Sequence, residues 1–75
     1  MNICVIAACW GEYDDYTTLN ISACNTEDEA WLIIDALNNR EDPYWGILES
    51  YFKNEYSYVP NDISFKFDKI PLLSI

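Results

Sequence analysis

An almost unbroken apolar run occupies residues 2–9, which read Asn-Ile-Cys-Val-Ile-Ala-Ala-Cys. A short continuous run rich in Ile and Val is typical of a strand that is covered on both faces. Such a strand has to lie inside a sheet, between two neighbouring strands. The rest of the chain therefore has to supply both the neighbours and the cover.

Two later segments alternate between apolar and polar side chains, which indicates strands with one face in water. In residues 16–24, Leu19, Ile21 and Ala23 are predicted to face one way, and Thr18, Asn20 and Ser22 the other. In residues 63–68, Ile63, Phe65 and Phe67 alternate with Ser64, Lys66 and Asp68. Gly11 suits the turn of a hairpin between the first two strands. Residues 55–59 are a candidate for a fourth, edge strand.

Two helices are predicted between these strands. Thr26 and Glu29 form the pattern of a capping box, which begins a helix over residues 27–38. Its apolar positions recur at 3–4 spacing and are Ala30, Ile33, Ile34 and Leu37. Asp42 as a cap and Pro43 at the first helical position predict a second helix over residues 43–53. Its apolar positions are Tyr44, Ile47, Leu48, Tyr51 and Phe52.

These elements predict a single α+β domain over residues 1–75, in the order β-β-α-α-β. We expect a three- to four-stranded antiparallel sheet with the apolar strand in the middle and both helices packed on one face. A chain of 75 residues buries only about 60% of its unfolded surface. That leaves no room for a deep catalytic cleft beside the core, and we expect a binding protein rather than an enzyme.

Charge is the strongest global signal in the sequence. Thirteen Asp and Glu face four Lys and Arg, giving a formal net charge of -9, and residues 1–39 hold no cationic side chain. Such a field repels nucleic acid and anionic lipid and attracts basic protein surfaces, so direct nucleic-acid and membrane binding are not expected. The acidity also suits a simpler interpretation, in which it serves solubility alone.

The three cysteines, Cys4, Cys9 and Cys24, occur without any histidine and without a C-x-x-C pair. Zinc typically requires four Cys or His ligands, and thiol catalysis requires a base, so we expect no metal, no cofactor and no thiol enzyme. The cysteines are interpreted as small core residues in a reducing cytoplasm. No apolar segment approaches the ~20 residues that a membrane-spanning helix needs.

The loop Gly11-Glu12-Tyr13-Asp14-Asp15-Tyr16 places three carboxylates between two tyrosines. It lacks the ligand spacing of a calcium-binding EF-hand. Three interpretations stay open: a hairpin loop held by its aromatics, a cation site, and a docking loop for Arg or Lys of a partner. The docking interpretation assigns partner-binding roles to Glu12, Tyr13, Asp14, Asp15 and Tyr16.

Two apolar residues of the first helix do not lie on its apolar stripe. At ~100° per residue, Leu32 points away from the apolar stripe, and Trp31 lies at its edge. Framed by Asp28 and Asp35, this pair has the character of an interface anchor. Alternatively, the second helix or the apolar residues 72–75 cover Leu32. The second face of the apolar strand also needs cover, which either the apolar residues 72–75 or a second copy of the chain in a homodimer would supply.

Residues 3–37 resemble a family of small phage-encoded proteins of unknown function. The resemblance rests on Val5-Ile6, the loop Gly11 to Tyr16 where the family has Gly-Glu-Tyr-Ser-Asp-Tyr, the strand Ile21-Ser22-Ala23, and a helix opening over residues 26–30. Asp14 departs from the usual Ser, and the aromatic segment 43–59 is not shared. The resemblance implies a bacteriophage accessory protein in the host cytoplasm.

The expected function follows from charge and resemblance together. It is an acidic inhibitor that binds a basic surface of a host defence protein, of the anti-CRISPR or another anti-defence type, by imitating nucleic acid. The alternatives are a homo-oligomeric structural or assembly protein, a modulator of host transcription, and a cation-binding regulator.

Overall fold

The computed structural model describes residues 2–11 and 16–72. The elements are β1 (Asn2–Trp10), β2 (Thr17–Cys24), α1 (Glu27–Asn38), α2 (Tyr44–Glu55) and β3 (Ser64–Pro71). The predicted α+β class and the order β-β-α-α-β are confirmed, with three strands in an antiparallel sheet. The predicted partner-binding residues Glu12, Tyr13, Asp14 and Asp15 lie outside the described residues.

The strand order is β2-β1-β3, so the apolar strand lies in the middle as its composition predicts. One row of its side chains belongs to the hydrophobic core and consists of Cys4, Ile6, Ala8 and Trp10. The alternate row, Ile3, Val5, Ala7 and Cys9, faces the other side of the sheet, which we call the open face. On that face Ala7 and Cys9 are buried, while Ile3 and Val5 are half-buried.

A β-bulge in β2 corrects one prediction. Ser22 pairs with Ile6 and Asn20 pairs with Ala7, so Ile21 is an extra residue without a partner in β1. The extra residue reverses the alternation beyond it. Leu19 and Ile21 lie on the core side as predicted, but the pairing of Ala23 with Val5 places Ala23 on the open face, and Ser22 lies on the core side.

Both helices pack on the core side of the sheet. α1 contributes its predicted stripe of Ala30, Ile33, Ile34 and Leu37 to the core, and α2 contributes Leu48 and Phe52. These side chains form one cluster with the even-numbered row of β1. The hydrophobic effect therefore fixes both helices against the same sheet face.

The two helix starts differ. The Thr26 hydroxyl accepts a hydrogen bond from the Glu29 amide at 3.2 Å, so the predicted cap of α1 is confirmed. The predicted cap of α2 is wrong: α2 begins at Tyr44, Pro43 occupies the N-cap position, and no side chain caps the helix there. The ring of Pro43 carries neither a hydroxyl nor a carboxylate that could accept from the first turn.

The candidate fourth strand over residues 55–59 is also wrong, because α2 continues to Glu55 and the following residues are irregular. The Tyr56 amide donates to the Phe52 carbonyl at 2.8 Å and closes the helix. Ser57 then adopts a φ of 65°, in the left-handed region that a strand does not use. Of the aromatic side chains that suggested a strand, Tyr56 packs edge-on against Trp10 with ring centroids 5.9 Å apart, and Tyr58 packs against Tyr56 at 6.4 Å.

Candidate functional site

Trp31 and Leu32, together with the two aspartates that frame them, form one exposed surface of α1. We call this surface the α1 patch and define it as Asp28, Trp31, Leu32 and Asp35. Their i, i+3 and i+4 spacing makes them neighbours on one helix face. Leu32 is 70% exposed and Trp31 is 56% exposed, so α2 does not cover them. Of the alternatives for cover, residues 73–75 lie outside the described residues, so the role of this pair as an interface anchor stays a prediction.

Trp31 is held in place although it is exposed. Its ring packs edge-on against Phe67 of β3, with ring centroids 5.2 Å apart and an interplanar angle of 89°. Edge-to-face aromatic pairs contribute about 0.5–1.5 kcal/mol beyond the area that they bury. A side chain that is already oriented loses less conformational entropy when a partner covers it, which favours its use as an anchor.

Neither carboxylate of the α1 patch forms an ion pair within the described part of the chain. Glu27 of the same helix forms an ion pair with Lys69 at 3.1 Å, whereas no ion pair of Asp28 or Asp35 occurs among residues 2–11 and 16–72. Arg40 follows the helix, but its guanidinium lies 4.0 Å from the Trp45 ring centroid and faces α2. The negative charge of the patch is therefore available to a partner.

Tyr16 does not belong to this surface. It is exposed just before β2, and interaction with the Cys9 thiol is the main cause that raises the pKa of Tyr16. Cys9 belongs to the open-face row of β1, whereas α1 packs on the core side. The sheet thus separates Tyr16 from the α1 patch, so the predicted partner-binding residues that the structure describes lie on two different surfaces.

A second surface was not predicted. A groove of about 310 Å³ lies between β2 and α2, and its lining is almost wholly apolar. It is lined by Leu19, Asn20, Ile21, Ser22, Leu37, Tyr44, Ile47, Leu48 and Tyr51. Ile47 is 71% exposed at its rim, although its spacing in the sequence predicted a core position. The 3–4 spacing of the apolar residues of α2 was the available sequence signal for this surface, but it does not specify how α2 packs against the sheet.

The cysteines also have defined places. Cys4 and Cys24 are directly opposite each other on β1 and β2, and both are free thiols. Burial, with smaller contributions from Cys4 and Glu29, raises the pKa of the Cys24 thiol. In the described part of the chain, no three Cys, Asp or Glu side chains come together to hold a metal ion.

Comparison with protein-family models, curated proteins and solved structures finds no match to this chain. Neither described helix is long and apolar enough to cross a membrane. The interpretation of the two surfaces therefore depends on their own chemistry.

Proposed function

We propose that this chain is a small protein-binding module that uses the α1 patch to occupy a basic surface of a partner protein. The observation that carries the proposal is the exposure of Leu32 and Trp31 between two carboxylates that form no ion pair with any described residue. An apolar centre with a polar rim is typical of interface anchors. Free carboxylates accept the planar fork of Arg in two parallel hydrogen bonds, which adds orientation to the contact.

The finer proposal is that the partner is a host defence protein and that the chain is its phage-encoded inhibitor. Its support is the formal net charge of -9 together with the sequence resemblance over residues 3–37. A surface that binds nucleic acid is basic because it neutralises phosphates. An acidic module that occupies such a surface would compete with nucleic acid for it.

Affinity capture from a bacterial lysate tests the proposal, provided that the bait variants are matched in charge. Asp28→Asn with Asp35→Asn removes two charges from the α1 patch. The control, Glu41→Gln with Asp68→Asn, removes two charges outside both the α1 patch and the groove lining. We expect a captured protein with a basic surface, with capture reduced by the first pair and retained by the control.

Salt provides the second arm of the experiment. Between about 0.1 M and about 1 M salt the Debye length falls from about 10 Å to about 3 Å, so the capture should weaken strongly. Leu32→Asp should also abolish it, because the substitution removes the apolar centre. Capture that persists through high salt and in both α1-patch variants would refute the charge mechanism.

The loop residues Glu12, Tyr13, Asp14 and Asp15 remain a sequence-based part of this proposal. Reversal of Asp14 and Asp15 to lysine tests their role, with the control that circular dichroism shows an unchanged fold. Binding at full strength in that double variant would confine the interface to the α1 patch.

A second candidate function is assembly through the open face. Ile3 and Val5 are half-buried there and Ile70, which pairs with Ile3, is exposed, while both helices lie on the other side. Light scattering at micromolar concentration decides this point. A dimer that Ile70→Lys dissociates would support assembly, and a strict monomer would exclude it.

A further inference from the structure

The groove lies beside a strand edge that no other strand covers in the described fold. In the order β2-β1-β3, β2 pairs with β1 on one side only. Along the groove wall from Leu19 to Ser22, the amides and carbonyls that point away from β1 can therefore pair with another extended segment. α2 forms the other wall of the groove, to which it contributes Tyr44, Ile47, Leu48 and Tyr51.

We propose that the groove between β2 and α2 binds a short extended segment of a partner protein. The segment adds a strand to the free edge of β2 and inserts alternate apolar side chains between Ile21 and Ile47. Main-chain hydrogen bonds supply affinity in this mode of recognition, and the pockets for alternate side chains supply specificity. This site is separate from the α1 patch and adds a second class of ligand.

The dimensions of the groove fit a short segment. Its strand wall runs from Leu19 to Ser22, four residues or about 14 Å at the rise of an antiparallel strand. The bulge at Ile21 interrupts regular pairing and keeps long flat strands from extending along the whole edge. A volume of about 310 Å³ lies at the low end of the ~300–1,000 Å³ range of ligand sites.

Charge decides between a foreign segment and a second copy of the chain. None of the described residues that line the groove is Lys or Arg. Burial is the largest cause of the raised pKa of Tyr51, followed by Tyr56, and the nearby carboxylate of Glu55 also contributes. Pairing two β2 edges would bring together two chains that each carry a formal net charge of -9. Electrostatic complementarity therefore favours a segment with apolar side chains at alternate positions and Lys or Arg at its ends.

Selection from a random library of displayed peptides about nine residues long, with the whole chain as bait, tests the proposal. We expect enriched peptides with alternating apolar positions and basic ends. Ile47→Asp should weaken their binding by about ten-fold or more, because it places a charge at the apolar rim. Leu32→Asp, a matched change at an equally exposed leucine of α1, should leave their affinity unchanged.

Backbone methylation of the selected peptide then distinguishes strand addition from other modes. Methyl groups on every second amide should abolish binding in one register and leave it intact in the other, because alternate amides of a strand point in opposite directions. Equal loss in both registers, no enrichment, or enriched peptides that ignore Ile47→Asp would overturn the proposal. So would a dimer of the free chain that Ile47→Asp dissociates, since the occupant would then be a second copy.

The two proposals fail independently in these experiments. Loss of lysate capture in the α1-patch variants, with peptide binding retained, concerns the proposed function alone. Loss of peptide binding in Ile47→Asp, with lysate capture retained, concerns the groove alone.

Discussion

The indole of Trp10 packs edge-on against the ring of Phe52, with 4.9 Å between the ring centroids. The contact joins the end of β1 to α2, and both side chains are buried. Because α2 forms one wall of the groove, this aromatic pair helps to set how far that wall stands from β2. This contact therefore links the core to the groove, as do Leu37 and Leu48, which belong to both.

Phe52→Ala should cost about 3–5 kcal/mol of unfolding free energy, since a fully buried aromatic leaves a cavity behind. Denaturant unfolding followed by circular dichroism measures the loss. Tyr58→Ala, at an exposed tyrosine of the same aromatic segment, is the control and should change stability by less than about 0.5 kcal/mol. Similar losses for both variants would mean that Phe52 does not occupy the core.

Thr26→Ala should destabilise the protein by about 1 kcal/mol, because the Glu29 amide loses its hydroxyl acceptor at the start of α1. Thr26→Asp keeps a side-chain oxygen at the same place and should restore most of the stability. The measurement is again the midpoint of denaturant unfolding. If alanine and aspartate give the same midpoint, the hydroxyl does not cap the helix.

Gly46→Ala should stabilise the protein by up to about 1 kcal/mol, the difference in helix propensity. A Cβ at this position would come within 2.7 Å of Asp42 Oδ1, but Asp42 is exposed and its side chain has room to rotate. Repeating the substitution in an Asp42→Ser background removes the carboxylate from the comparison. A loss of stability that the background relieves would show that Asp42 is held in its present position.

Cys24 should react slowly with iodoacetamide at neutral pH. The thiolate is the nucleophile, and a raised pKa keeps the Cys24 thiol protonated to a higher pH than an ordinary cysteine. The alkylation rate, followed by mass spectrometry, should rise with pH, and the midpoint of the rise should lie at a higher pH in the folded protein than in the urea-unfolded protein. A coincident or lower midpoint in the folded protein would contradict the burial of this sulfur.

Leu32→Ser should leave the unfolding free energy within about 0.5 kcal/mol of the unmodified protein, because Leu32 is exposed. Ile34→Ala, two residues along the same helix, should cost about 2–5 kcal/mol because Ile34 is buried in the core. The pair of measurements tests which face of α1 meets the sheet. A large loss for Leu32→Ser would place that side chain under cover and remove the anchor from the α1 patch.

Much of the fold was predictable because the signals are local. The bounds of α1 follow from Thr26 and the 3–4 spacing behind it, and the central place of β1 follows from its two apolar rows. The errors have a common origin. The bulge at Ile21, the uncapped start of α2 and the irregular segment after Glu55 depend on contacts that sequence spacing does not encode.

The candidate sites likewise combine features that local sequence signals predict with features that only tertiary contacts determine. Leu32 and Trp31 were identified from helix geometry alone, because the angle between two positions of a helix does not depend on the rest of the fold. Their separation from Tyr16, by contrast, depends on which face of the sheet α1 packs against, and helix geometry does not specify that face.

The sequence by itself determined the class of fold, the middle strand, the first helix and the excess of negative charge. Only the tertiary structure decided that β2 is an edge strand and that α2 stands beside it with Ile47 uncovered. The physical reason is the distance along the chain between the residues that interact. Hydrogen-bonding periods and caps act between residues a few positions apart, whereas a groove arises from the packing of elements that are distant in the chain.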